Sequence, residues 1–160
     1  MISMGIDLPN AFVIIKDRGK HIPSILNSKV YDYKNKDMRN DLLDFYYALK
    51  NFLEECDEAD EHPDIIIMEK PFIRKNPVTT AKLNMYAGIV LLLSVIHEIP
   101  CKMISNTEIK RRICGNGSAD KQHMYNMAHM ITGNINHDCS QHEADAVLCA
   151  HFGLSVDQAD

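Results

Sequence analysis

An α/β domain, with a mixed sheet carrying helices on its faces, is the architecture this sequence predicts, and three observations predict it. Two short β-rich runs at the N-terminus flank a turn, an almost wholly apolar run occupies Ile65–Met68, and helical stretches alternate with such runs until the chain becomes all helical. A hairpin feeding into alternating helices and strands gives a mixed sheet rather than a doubly wound nucleotide fold.

Ile2, Met4 and Ile6 alternate with smaller residues before Asp7. After a Leu8-Pro9-Asn10 turn, Ala11–Lys16 is a second β-rich run, so the pair reads as a hairpin. An Asp17–Lys20 turn and an irregular stretch containing Pro23 precede a third strand expected near Lys29–Tyr33. From Met38 to about Glu55, Leu42, Leu43, Phe45, Tyr46, Leu49, Phe52 and Leu53 recur at helical spacing. Asp64–Glu69 is apolar enough to be a central strand covered on both faces. The next helix runs from about Val78 to His97, and its second half, Gly88–Ile96, is apolar nearly all round. Such a helix needs more than one neighbour, either a second helix or a second subunit. Cys101–Ile104 reads as a strand, followed by helices at Thr107–Cys114, Ala119–Ile131 and about Ser140–Phe152, with a Gly115-Asn116-Gly117 turn after the first of them.

The chain has 160 residues, 46% of them hydrophobic, which suits one domain with its own core, 1–160, and leaves no room for two. The apolar stretch Ala87–Ile96 is too short to span a bilayer and the N-terminus carries no secretory pattern, so a cytoplasmic protein without a membrane partner is expected. Five cysteines with neither CxxC pairs nor regular spacing indicate reduced packing residues. The net charge of −5 argues against a general nucleic-acid binder. Its distribution is uneven, however. Acids crowd between Glu54 and Glu61, a solvated helix end, while bases gather at Lys70–Lys75 and Lys102–Lys121.

Four residues stand where such a fold can assemble them. Asp7 and Glu69 each follow a strand, and the two strands are expected to be neighbours, which puts both carboxylates at one sheet edge. His142 and Asp145, three apart on the last helix, project about 60° from each other on one face, while Glu143 points away. Carboxylates meeting at one point suit Mg²⁺ or Mn²⁺, and two such ions about 4 Å apart serve phosphodiester hydrolysis. A neutral His can ligate a metal or prepare the attacking water as a base. Taken singly, each has an ordinary explanation as a turn residue or a solvated helix residue. Glu69 is the exception, because a carboxylate ending an apolar strand needs a partner or a cation.

Around these acids the chain resembles the RuvC-type Holliday junction resolvases of the RNase H-like (retroviral integrase) superfamily. The resemblance rests on Gly5-Ile6-Asp7, on Met68-Glu69-Lys70-Pro71-Phe72 running on to Lys75-Asn76-Pro77 and Lys82-Leu83, on Ile109-Lys110 with Gly115-Asn116-Gly117-Ser118-Ala119-Asp120-Lys121-Gln122, and on His142-Glu143-Ala144-Asp145-Ala146. The stretch from Lys110 to Gln122 is the most specific of these.

The resemblance implies an RNase H-like fold with a five-stranded mixed sheet. It also implies a homodimeric, metal-dependent endonuclease that resolves four-way and other branched DNA. Asp7, Glu69, His142 and Asp145 would hold two Mg²⁺ or Mn²⁺ ions, with His142 at a position that is Asp in some members and His in others. Lys110 and Lys121 match lysines near the scissile phosphate, and Lys121 joins the catalytic set. Phe72, Arg74 and Lys75 would meet the junction, with Lys82 and Arg111 completing the DNA-binding set. The apolar second helix resembles the family's dimer helix. Asp7-Leu8-Pro9-Asn10 departs from the Pro-Gly that commonly follows this Asp in bacterial members, and with the acidic charge it fits a divergent, phage-type branch. Two other readings are a branched-DNA-binding protein without cleavage and a nuclease acting on RNA–DNA hybrids. A phosphotransferase of the actin-like group lacks its second Gly-rich loop here.

Overall fold

The structure, a computed structural model, describes residues 1–19, 21–31, 37–72, 76–133 and 139–156. Five strands, β1 (Ile2–Asp7), β2 (Ala11–Arg18), β3 (His21–Val30), β4 (Ile65–Glu69) and β5 (Cys101–Ile104), form one sheet in the order β3-β2-β1-β4-β5. β1 pairs antiparallel with β2, and β2 with β3, whereas β1–β4 and β4–β5 are parallel, which gives the mixed sheet that was expected. Five helices accompany it: α1 (Met38–Glu58), α2 (Pro77–Ile96), α3 (Asn106–Cys114), α4 (Lys121–Thr132) and α5 (Gln141–Val156).

The third strand lies earlier than its composition suggests. It begins at His21 and takes in Pro23, because β3 is the edge of the sheet, where a residue without an N–H costs no ladder bond. Of the expected Lys29–Tyr33 strand, Lys29 and Val30 belong to β3, and positions 32 and 33 lie outside the described residues. α4 starts two residues later than expected because Asp120 acts as its cap, its carboxylate accepting from the His123 N–H at 2.8 Å. α5 runs a turn beyond Phe152, carrying Gly153 and Leu154 onto the core.

Side-chain alternation along β1 and β4 divides the interior in two. Met4, Ile6, Ile66 and Met68 face α1 and α2, where Phe45, Phe52, Tyr86, Val90 and Leu93 are buried with Phe12 and Ile14 of β2. Ile65 and Ile67, with Val13 and Ile15, face α5, behind which α3 and α4 pack. The Ala87–Ile96 run is the second half of a helix of 20 residues, α2, which as a whole is long and apolar enough, by length and composition alone, to cross a membrane. Its Tyr86–Val90–Leu93 side is nonetheless spent on the core.

α5 lies directly on β1. A Cβ on Gly5 would stand 1.9 Å from the Ala146 carbonyl oxygen, and one on Gly153 would stand 2.1 Å from the Ser3 hydroxyl. Gly5 lets the α5 backbone at Ala146 and Ala150 touch the β1 backbone, while Gly153 leaves room for the side chains of Ser3, Ile65 and Ile67. This close approach sets where the first turn of α5 ends up.

Candidate active site

The parallel register pairs Ile6 with Met68, so Asp7 and Glu69 are the next residues on adjacent strands. They share the parity of Gly5 and Ile67, so both carboxylates leave the sheet on the α5 side. α5 crosses that face with its N-terminus at the carboxyl ends of β1 and β4. The Ser140 hydroxyl accepts from the Glu143 N–H at 3.1 Å and closes the helix's first turn. His142 and Asp145 thereby reach Asp7 and Glu69.

Nδ1 of His142 lies 2.7 Å from Oδ2 of Asp7. An ionised carboxylate only accepts, so the Nδ1–H donates and Nε2 is left as the other face of the ring. The Asn10 amide stands 3.4 Å from the same Nδ1. Glu143 does point elsewhere, accepting from Ser28 Oγ at 2.6 Å, which ties α5 to β3. Asn106 Nδ2 donates to Oε2 of Glu69 at 3.2 Å.

Asp145 is a perturbed acid. Burial first, then the charges of Asp7 and Glu69, push its carboxyl up to about 6, with His142 and Lys121 pulling the other way. One turn further along α5 the Cys149 thiol is buried beneath the site, outside the cleft lining, and burial and the three acids hold it protonated.

Asp7, Asn10, Glu69, Asn106, His142 and Asp145 line one cleft of about 990 Å³. Lys110 of α3 and Lys121 at the start of α4 line it too, together with Phe72 after β4 and the Leu8-Pro9-Asn10 loop. Phe72 is 53% exposed, so its ring is offered to the cleft rather than to the core. Arg74 and Lys75 lie outside the described residues. Arg111 is exposed on α3 and is not part of the cleft lining. Lys82 has a different employment: its Nζ is bonded to the buried Asp41 of α1 and stands 5.8 Å from the Tyr86 ring centroid.

Three oxygen-donor acids and an imidazole suit a hard divalent cation. The electrostatics agree, because an acid raised by burial and then by its acidic neighbours gains from a cation placed among them. Among the described residues, no three such side chains are drawn close enough to hold an ion as they stand, and His142 is turned onto Asp7. Asn10 and Asn106 were not singled out from sequence. Asn106 sits where a helix start is expected, and an Asn there reads simply as a capping residue.

A family model described as crossover junction endodeoxyribonuclease RuvC matches residues 4–151. The crossover junction endodeoxyribonuclease RuvC of Photorhabdus laumondii is 28% identical over 162 residues, which cover 97% of this chain and 90% of that protein. The protein of the same name from Xanthomonas oryzae is 31% identical over 128 residues, covering 72% and 74% respectively. Among solved structures, Thermus thermophilus RuvC in complex with Holliday junction substrate superposes with a TM-score of 0.79 at 20% identity, covering 94% of this chain and 90% of that one.

Proposed function

The chain belongs to the RuvC family of crossover junction endodeoxyribonucleases, and we propose that it resolves Holliday junctions by divalent-metal-dependent hydrolysis of a phosphodiester in each of two paired strands. The observation that carries this reading is the convergence of Asp7, Glu69, His142 and Asp145 at one cleft mouth that also holds Lys110 and Lys121. In the proposed assignment, Asp7, Glu69, Asp145 and Nε2 of His142 hold two Mg²⁺ or Mn²⁺ ions. When bound, these ions supply charge stabilisation to the attacking and leaving oxygens. For His142 and Asp7 to ligate together, their present hydrogen bond opens.

The remaining work falls to the protein's own side chains. Lys110 and Lys121 meet the phosphate as cationic point charges, and Lys121 stands close enough to Asp145 to affect its ionisation. Phe72 offers a ring on which an unpaired base can stack. The family resemblance also assigns Arg74, Lys75 and Arg111 to the DNA backbone. Lys82 we assign to the α1–α2 interface instead, on the strength of its bond to Asp41. The products carry 5′-phosphate and 3′-hydroxyl ends.

A homodimer is part of the proposal, since a symmetric protein suits a nearly two-fold junction. Leu92, Val95 and Ile96 of α2 are exposed apolar side chains on the helix that resembles the family's dimer helix. A second copy covering them agrees with an intracellular, soluble enzyme.

The test is a synthetic four-way junction incubated with Mg²⁺, beside fork, flap and RNA–DNA hybrid substrates. Symmetric nicks in strands of like polarity, lost in Glu69→Gln while junction binding persists, are expected. Binding without nicking by the wild-type protein would sink the enzyme reading, and preferential hybrid cleavage would move it to the ribonuclease alternative.

A further inference from the structure

Glu69 is the longest of the three acids and stands at the open end of β4, so its carboxylate has the most conformational freedom to lose when it takes up a fixed geometry. The side chain that restrains it belongs to α3. The N-cap of that helix is Ser105, whose hydroxyl accepts from the Glu108 N–H, so Asn106 in the first turn is released from capping. Its Nδ2 instead donates to Oε2 of Glu69 at 3.2 Å, in a half-buried setting. A neutral amide grips the carboxylate without cancelling its charge, whereas a lysine at that point would compete with a cation. The bond engages Oε2 and leaves Oε1 uncommitted to it.

The arrangement parallels that of Asp7, which the first turn of α5 grips through His142. Asn106 and Lys110 are four apart and share one face of α3, and both line the cleft.

We propose that Asn106 is a positioning residue of the active site, its amide holding the Glu69 carboxylate in the orientation in which it takes a divalent cation. This rests on the metal assignment made above. Outer hydrogen-bond partners of metal ligands commonly matter by roughly tenfold or more in metal affinity.

The experiment is a Mn²⁺ titration of the metal-free full chain without DNA, followed by the resonance of free Mn²⁺, on the wild type, Asn106→Ala, Glu69→Gln and the double variant. Asn106→Ala is expected to weaken Mn²⁺ binding about tenfold, with its metal-free melting temperature unchanged. In the Glu69→Gln background the same substitution is expected to add nothing, because a residue acting through Glu69 has lost its means of acting. Wild-type Mn²⁺ affinity in Asn106→Ala, or an undiminished effect of Asn106→Ala in the Glu69→Gln background, overturns the inference while leaving the metal site standing. Unchanged affinity in Glu69→Gln itself removes the metal assignment, and this inference with it.

Discussion

His142 and Asp7, 135 positions apart in the chain, are joined by a hydrogen bond of 2.7 Å from Nδ1–H to Oδ2. In the metal-free protein the bond fixes the ring's tautomer and leaves Nε2 as the nitrogen available to a water, or to a cation once the bond opens. If the imidazole serves chiefly as a ligand, a carboxylate at the same place on α5 substitutes for it. His142→Asp is therefore expected to keep Mg²⁺-dependent junction cleavage within about tenfold of wild type, and His142→Ala to lose much more. Loss of more than a thousandfold in His142→Asp would make the imidazole an obligatory base.

Gly5→Ala should be among the most damaging single methyl additions in the protein. The new carbon would meet the Ala146 carbonyl at 1.9 Å and the Ala150 nitrogen at 2.4 Å, both backbone atoms that cannot step aside. Either α5 lifts from β1 or the strand bends, at a cost of about 3 kcal/mol or more. His142 and Asp145 move with the helix. Urea denaturation should show the loss, and any folded fraction should cleave poorly.

Asp145 makes the metal-free protein less stable as pH rises. Its carboxyl is raised from 3.8 to about 6, so the unfolded chain ionises first, and stability falls between about pH 4 and pH 6. Below that window both states are protonated and there is no cost; above it the cost is complete. Asp145→Asn is thus expected to stabilise the metal-free protein at pH 7.5 by about 1–2 kcal/mol, allowing for the partly open setting, and to have no such effect near pH 4. Mg²⁺ should raise the melting temperature of the wild type and do so less for the variant. Equal stability at both pH values would contradict the burial and charge crowding seen at this acid.

Lys82 and Asp41 can be separated from the DNA-binding surface by a double-mutant cycle. Lys82→Met leaves the buried Asp41 carboxylate without its cation, a loss of about 1–3 kcal/mol. Adding Asp41→Asn should recover much of it. Junction affinity at fixed salt should change little in the double variant. A large drop in affinity with unaltered stability would return Lys82 to the DNA contacts.

Much of the fold was legible because its signals are local. The apolar run of β4, the spacing along α1 and the turn at Gly115–Gly117 each declare themselves within a few residues. β3 was misplaced because Pro23 counts against a strand in general but not at a sheet edge, and only the strand order makes that place an edge. α5 was cut short at Gly153 for a similar reason: that glycine reads as a helix end until Ser3 is seen beneath it.

The sequence by itself determined which chemistry is present: three acids and a histidine at the ends of two strands and along one helix face, with lysines and a Gly-Asn-Gly turn between them. Spacing on α5 was enough to select His142 over Glu143, whose carboxylate turns to Ser28. Only the tertiary structure decided the pairings. That His142 holds Asp7, that Asn106 holds Glu69 and that Lys82 is committed to Asp41 all depend on elements far apart in the chain. Strand parity and helix spacing are local properties of the backbone. Which donor reaches which acceptor follows from how closely α5 settles on Gly5 and where α3 leaves the sheet, and those are set by packing of the whole domain.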